Sequence, residues 1–513
     1  MKNQIRNTNE EIFSILLLIS LVNLLLYFLS VSFINYGISG DELYYIACTN
    51  HLDFGYVDNP PLSIWILALW KFLFGDSLFV IRILPAIVSS ATVFMIGLFT
   101  VKLGGGKNAV IITTLTFMLT PVFLSASTIY SMDVFDFFFW ILSAYIYLGI
   151  IQSENRQLWY TLGVVIGFGL LNKTSMLWLG AGILAGTVFT PMREDLRTKY
   201  PYIAAGIAVL IFSPYIIWNL VHDFAHIEFI KSAASGRYGD LSPVSFVFDL
   251  FLILNPVSVI VWLPGLLFYF FEKNARQYRA LGYIWLVTLS VLFIEWHSKG
   301  EYIAPAFQVL FAGGAIMIVK WNARLRRLKY ALVIPVVVLG ILLAPLAHPF
   351  LPVDKFIGYK SLLGLKTSGG ENRRLDRLSM FCANMFGWNN LARKVSEVYL
   401  TIPEEIRKNT IVYCRNSGEA GAIEYYKSKY KLPDVVSPHN SYWYWWNEQR
   451  RPDTIIIIGG KLEDHLESFD SVEVAGYYKT KYAVPYENNL LIFIARGFKK
   501  SPEAIKRDDK IFI

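Results

Sequence analysis

Cysteine is scarce in this chain. There are three among 513 residues, Cys48, Cys382 and Cys414, too few for a fold held together by disulfides. No Cys/His spacing suits a structural zinc site. Charge is scarce too: charged residues make up 17%, against about 25% in ordinary soluble domains. That excludes a disordered polypeptide and argues against a purely soluble enzyme. Neither a G-x-x-x-x-G-K-[ST] nor a G-x-G-x-x-G phosphate loop is present, and there is no internal repeat or low-complexity tract. The Gly104–Gly106 run reads as a chain reversal.

What is abundant is apolar. Hydrophobic residues make up 55%, and the mean hydropathy is +0.44. A membrane span needs about 20 mostly apolar residues, and by that measure the sequence offers about eleven. The first runs from near Ile12 to Phe33 and reads as an uncleaved signal anchor. The others begin near Leu78, Asn108, Val134, Leu158, Ser175, Ile203, Phe246, Leu281, Tyr302 and Tyr330.

The 47 Lys+Arg outnumber the 39 Asp+Glu by eight, and their positions explain why. Lys2 and Arg6, Lys102 and Lys107, Arg156, Arg193–Lys199, Lys273–Arg279 and Lys320–Lys329 fall in every second loop. That is the positive-inside pattern. It places the N-terminus in the cytoplasm and leaves no nucleic-acid footprint to explain.

The expected fold is an α-helical polytopic membrane domain, residues 1–348, followed by a small extracytoplasmic α/β domain, residues 349–513. Strand-like runs at Thr410–Cys414, Thr454–Ile458 and Leu490–Ala495, with a helix-like stretch at Glu419–Tyr430, support the second unit. Cys382 and Cys414 lie in it and could pair in an oxidising compartment.

The first outer loop is the most informative. Asp41 and Glu42 follow the first span directly, and carboxylates at that depth tend to be functional. Tyr44, Tyr45 and Tyr56 offer hydroxyls and flat faces to a sugar or lipid headgroup, and Asp58 stands beside them. The plainer reading is a solvated interfacial loop with an aromatic belt. Asp133 opens a span, where an acid also suits the helix dipole, and Asp136 lies one turn further in. Lys173 occupies a tight Asn172-Lys173-Thr174 turn, where a lysine can simply snorkel. Arg82 could likewise be an interface anchor. His297, Lys299 and Tyr302 crowd one short turn. Together these loops supply a carboxylate for a base, cations for a phosphate and aromatics for a ring. A phosphate-linked sugar on a lipid needs all three.

The ordered set resembles a known family. Its parts are Asp41-Glu42, the Gly-Tyr-x-Asp-x-Pro-Pro-Leu run ending at Leu62, Gly75 with Ile81-Arg82, Thr120-Pro121 with Met132-Asp133, Leu171-Asn172-Lys173, and Lys299 with Tyr302 and Pro305. Over residues 10–345 they resemble the membrane glycosyltransferases of the GT-C fold. The nearest groups are the bacterial family 39/83 enzymes: protein O-mannosyltransferases, the aminoarabinose transferase acting on lipid A, and galacturonosyltransferases. The tail, with Gly387-Trp388, Asn416–Ala422 and His439–Trp443, resembles one found on bacterial family 39 members.

The resemblance implies transfer of a monosaccharide from a polyprenyl-phosphate donor to a lipid, glycan or protein acceptor. The reaction would occur at the outer face of the cytoplasmic membrane, with inversion at the sugar carbon. Asp41 is then the base or orients the acceptor, and Asp133 matches the second essential acid. Lys173, Arg82 and Tyr302 stand near the donor phosphate. Glu42 supports Asp41 or helps hold a divalent cation, the one cofactor implied, with His297 as its further ligand. Two departures stand out. The chain lacks the extra sugar-binding repeats of eukaryotic protein O-mannosyltransferases, and Asn59 stands where the aminoarabinose enzyme carries lysine. The rival readings are a transporter or flippase for a lipid-linked sugar, which would carry mid-membrane charges and paired repeats, and a catalytically silent assembly subunit of the same fold.

Overall fold

The structure, a computed structural model, describes residues 2–33, 36–237, 242–294, 299–322, 328–365 and 378–513. His297 lies outside them, as do Arg324, Arg326 and Arg327 of the last basic cluster.

The protein is an α-helical, multi-pass membrane protein, but its described residues do not hold eleven spanning helices. Among the described residues, six helices are long and apolar enough to cross a bilayer: Glu10–Ser32, Leu78–Lys102, Met132–Gln152, Tyr200–Val221, Lys273–Ile294 and Gly300–Trp321. A seventh is reached only by joining Val244–Ile253 to Pro256–Phe271 across a 92° bend. The physical reason is that hydropathy counts composition, whereas a span also needs unbroken helix. The stretch near Asn108 gives a helix of 12 residues, Lys107–Met118, which ends ahead of Pro121. At 1.5 Å per residue it is about 18 Å long, against roughly 30 Å of hydrocarbon. Asn255 adopts a left-handed φ of 65° and breaks the run that starts near Phe246. The runs near Leu158, Ser175 and Tyr330 become the shorter apolar helices Leu158–Asn172, Met176–Val188 and Ala331–Ala347. One apolar helix went unread in the sequence, Leu62–Phe74; Val259–Phe271 is the second half of the run that starts near Phe246.

Small residues let these helices pack closely. A Cβ on Gly163 would lie 2.4 Å from the Ala204 carbonyl oxygen, so glycine is what allows Leu158–Asn172 to rest on Tyr200–Val221. The basic ends gather at one end of the bundle. Gln152 Nε2 donates to the Lys102 carbonyl at 2.8 Å and to Tyr278 Oη at 3.1 Å, and Lys320 pairs with Glu272 at 2.7 Å. Asp133, in the first turn of Met132–Gln152, marks the other end.

The C-terminal residues build a five-stranded mixed sheet. β1 (Thr410–Tyr413) runs parallel to both β2 (Asp434–Val436) and β3 (Thr454–Ile458). β5 (Leu490–Phe498) is antiparallel to β3 and to β4 (Phe469–Tyr478), giving the order β2-β1-β3-β5-β4. β1, β3 and β5 match the strand-like runs of the sequence. β3 is buried along its whole length, as its unbroken isoleucines require. Cys382 and Cys414 are each buried and unbonded, as is Cys48. The pairing left open for the first two is not formed: Cys382 lies in the short helix Met380–Ala383, while Cys414 follows β1.

The sheet unit docks on the loops at the Asp133 end of the bundle through the helix Ser417–Tyr425, which lies against Gly40–Asn50. A Cβ on Gly421 would meet Leu43 at 2.9 Å. Beside it, Tyr44 Oη and Ser441 Oγ are hydrogen-bonded at 2.8 Å, and Val57 N–H donates to the Ser441 oxygen at 3.1 Å. Gly40 N–H donates to the Asn384 carbonyl at 3.2 Å.

Candidate active site

Between the helix bundle and the sheet unit lies a cavity of about 790 Å³. Asp41, Asp133, Lys173 and Lys299 all line it, although they come from four separate parts of the chain.

Local structure puts each of them there. Ser39 is extended and caps the helix Gly40–Asn50, so Asp41 sits in its first turn, where the helix dipole favours a carboxylate. Ser131 caps Met132–Gln152 through its side chain, which accepts from Asp133 N–H, and Asp133 again falls in the first turn. The Asn172 side chain donates to the Met132 carbonyl at 2.9 Å. That bond ties the turn carrying Lys173 to the start of the Asp133 helix, and Lys173 Nζ donates directly to Asp133 Oδ1. The same ammonium lies 5.2 Å from the centre of the Tyr302 ring, within cation–π range. Lys299 pairs with Glu301 at 3.3 Å. One turn below Asp133, the buried Asp136 accepts from Ser175 Oγ at 2.8 Å, bracing the far side of the Lys173 turn.

Other candidates build the wall rather than face the cavity. Glu42 and Arg82 form a buried two-pronged ion pair. Glu42 also accepts from Ser39 N–H at 2.9 Å and from Tyr130 N–H at 3.1 Å. Its oxygens are thus engaged by one guanidinium and two backbone amides, a setting that does not suit a cation ligand. Among the described residues, no three His, Cys, Asp or Glu side chains are grouped to hold a metal. Tyr44 donates to Asp58 Oδ1 at 2.9 Å. The Tyr45 hydroxyl accepts from Met132 N–H at 3.2 Å, and Tyr56 donates to the Cys48 and His51 carbonyls. All three tyrosines are buried: Tyr44 reaches the sheet unit, Tyr45 the bundle, and Tyr56 closes its own loop.

The cavity also has a wall that the sequence did not reveal. Asp249 and Glu301 come from the membrane side; Trp388, Arg415, Asn416, His439 and Glu487 come from the C-terminal residues. Asn416 carried a signal, since its side chain caps a helix by accepting from Glu419 N–H. Nothing in the spacing showed that this helix start would face Asp41.

Residues 58–218 match the model of the dolichyl-phosphate-mannose-protein mannosyltransferase family. The chain is 26% identical over 184 residues to lipid A galacturonosyltransferase RgtD of Rhizobium johnstonii, covering 36% of this chain and 38% of that protein. It is 24% identical over 278 residues to an undecaprenyl phosphate-alpha-4-amino-4-deoxy-L-arabinose arabinosyl transferase of Pseudomonas fluorescens, covering 50% and 49%. The matches therefore span half or less of these curated relatives. The crystal structure of ArnT from Cupriavidus metallidurans bound to undecaprenyl phosphate superposes with a TM-score of 0.62 at 12% identity, covering 93% of this chain and 97% of that one.

The chain is similar in fold, and over part of its sequence, to GT-C membrane glycosyltransferases. The likeness to ArnT in fold runs through the C-terminal sheet unit as well as the helix bundle, whereas the family model reaches only part of the bundle. It includes Asp133 and Lys173 and leaves Asp41 and Lys299 outside.

Proposed function

We propose that this protein transfers a single sugar from a polyprenyl-phosphate donor to a hydroxyl of a lipid, glycan or protein acceptor. The observation that carries the reading is the convergence of Asp41, Asp133, Lys173 and Lys299 on one cavity. The relatives add the donor class, since undecaprenyl phosphate is named for both the arabinosyl transferase and the ArnT structure.

In this mechanism Lys173 and Lys299 face the donor phosphate and neutralise the charge that grows on it as the glycosidic bond breaks. The leaving group is already a stable phosphate, so no nucleotide-binding loop is required. Asp133 spends its charge holding Lys173. Asp41 takes the proton of the acceptor hydroxyl as that oxygen attacks the anomeric carbon. A single displacement inverts that carbon. Tyr302 backs Lys173, and Glu42 with Arg82 holds the helix that carries Asp41.

The basic clusters and the cavity lie at opposite ends of the bundle. With the basic end in the cytoplasm, the N-terminus is cytoplasmic, and the cavity and residues 349–513 lie outside the inner membrane.

The test is to give purified protein a labelled undecaprenyl-phosphate sugar together with a membrane extract from cells lacking the protein. Label passing to an extract component is the expected result. A donor that crosses vesicle membranes with its glycosidic bond intact would replace this reading with a flippase.

A further inference from the structure

The transfer step as described makes no use of Asp136, a carboxyl group sunk among apolar helices. It lies one turn below Asp133 on Met132–Gln152 and is 1% exposed. Its Oδ1 accepts from Ser175 Oγ at 2.8 Å, at the end of the turn that carries Lys173. Its Oδ2 is buried without a hydrogen bond among the described residues, as is Trp140 Nε1. The Trp140 indole lies one turn further along the same helix and acts on the Asp136 carboxyl. Taking a carboxyl group out of water is costly, and such groups are kept where they pair with a cation or serve the site.

Lys173 is the cation that acts on it. The Lys173 ammonium faces Asp133 and Asp136 from one helix, and Glu301 and the Tyr302 ring from the turn before Ala304–Asn322. Lys299, on that same turn, acts on Asp133. The Lys173 side chain is 14% exposed, and loss of hydration by itself favours the neutral amine. The two aspartates oppose this in different ways. Asp133 accepts directly from Lys173 Nζ, but its side chain is 39% exposed and lines the cavity. There an incoming phosphate would repel it, and water weakens its field. Asp136 is removed from water and held by Ser175. A fixed charge in a low-dielectric setting acts on its neighbour with little screening.

We propose that Asp136 is a positioning residue for the transfer reaction: acting through Lys173, it is the fixed counter-charge that keeps an ammonium on the cavity floor while Asp133 responds to substrate. This rests on the reading of Lys173 as a contact of the donor phosphate.

The experiment uses full-length protein in lipid nanodiscs and measures binding of radiolabelled undecaprenyl phosphate at pH 8 and pH 10. The phosphate is a dianion at both, so a loss of affinity at pH 10 reports on the lysines. Asp136→Asn keeps the shape and the contact to Ser175 and removes the charge. Between the two pH values its affinity is expected to fall about tenfold further than the parent's, since an opposite charge moves a neighbouring group by about one to three pH units. In Lys173→Arg, whose guanidinium does not deprotonate, adding Asp136→Asn should bring no such extra loss; the loss that remains belongs to Lys299. Ser175→Ala removes the hydroxyl, leaves the carboxylate, and should keep the parent's pH response. Asp136→Asn with the parent's response, the same extra loss in the arginine background, or Ser175→Ala reproducing that loss would each overturn the inference. If Asp136→Asn fails to fold, unfolding temperatures decide. Adding Asp136→Asn should raise that of Lys173→Met, because it removes a buried carboxylate left without its cation. A lower or unchanged value, or a double variant that does not fold, would overturn it. A parent that does not bind undecaprenyl phosphate removes the donor contact at Lys173 and the proposed function with it. Binding by the parent without an effect of Asp136→Asn removes this inference alone.

Discussion

Arg82 and Glu42 meet in a two-pronged ion pair, Nε to Oε1 at 2.9 Å and Nη2 to Oε2 at 2.7 Å, with side-chain exposures of 5% and 0%. The pair joins the helix Leu78–Lys102 to the helix that carries Asp41. Removing one partner leaves a buried charge uncompensated, at a cost of about 3–5 kcal/mol. Arg82→Ala or Glu42→Ala is expected to lower the unfolding temperature of the detergent-solubilised protein sharply. The paired change Arg82→Met with Glu42→Leu should recover much of that loss. Thermal unfolding of the three variants checks this; single variants as stable as the parent would contradict it.

Lys173 is held by Asp133 and backed by Tyr302. Lys173→Ala is expected to reduce transfer about 10²–10³-fold, the usual cost of losing one group aimed at developing charge. Lys173→Arg should retain part of the activity. Initial rates across a donor titration test this, and a variant with unchanged rates would remove lysine from the phosphate site.

Glu487 gives a pH dependence with a definite sign. Its carboxyl is raised well above the ordinary value of 4.5, so between the two values the folded state holds a proton that the unfolded state has lost. Stability then falls as pH rises through that window, by up to about 1.4 kcal/mol per unit. In Glu487→Gln this contribution disappears. Unfolding temperatures measured from pH 4 to pH 8 should fall more steeply for the parent than for the variant. Parallel curves would contradict the buried, proton-bearing carboxyl.

The three cysteines are buried and unbonded. The folded protein is expected to resist maleimide labelling, to take up three labels on denaturation without reductant, and to migrate identically on reducing and non-reducing gels. A gel shift on reduction would restore the Cys382–Cys414 pairing.

Much of the helix bundle was legible in the sequence because long apolar runs with basic ends have few physical solutions. Helices starting near Leu78, Ile203 and Tyr302 follow directly from it. The number of spans was not legible, since Asn255 and Pro121 break helices without interrupting hydropathy. Within the sheet unit, β1, β3 and β5 stood out as apolar runs. β2 is only three residues long and β4 is largely exposed, so neither gave a comparable signal. The carboxylates and lysines of the cavity could be nominated because charge is rare beside apolar spans. Arg415 and Glu487 could not be, because charge is ordinary in a polar domain and only tertiary docking brings them to the cavity that Asp41 lines. The same docking placed Tyr44 in the wall, against Ser441, whereas Tyr45 is held by Met132 and Tyr56 by its own loop.

The most direct test of the account is the transfer rate of purified Asp41→Asn and Asp133→Asn with an undecaprenyl-phosphate sugar, read alongside donor binding. Asp41→Asn should bind donor normally and lose about 10²–10⁴-fold in turnover, the usual contribution of a positioned base. Asp133→Asn should lose turnover and also bind donor differently, because Lys173 is released. Full activity in both variants would contradict the account.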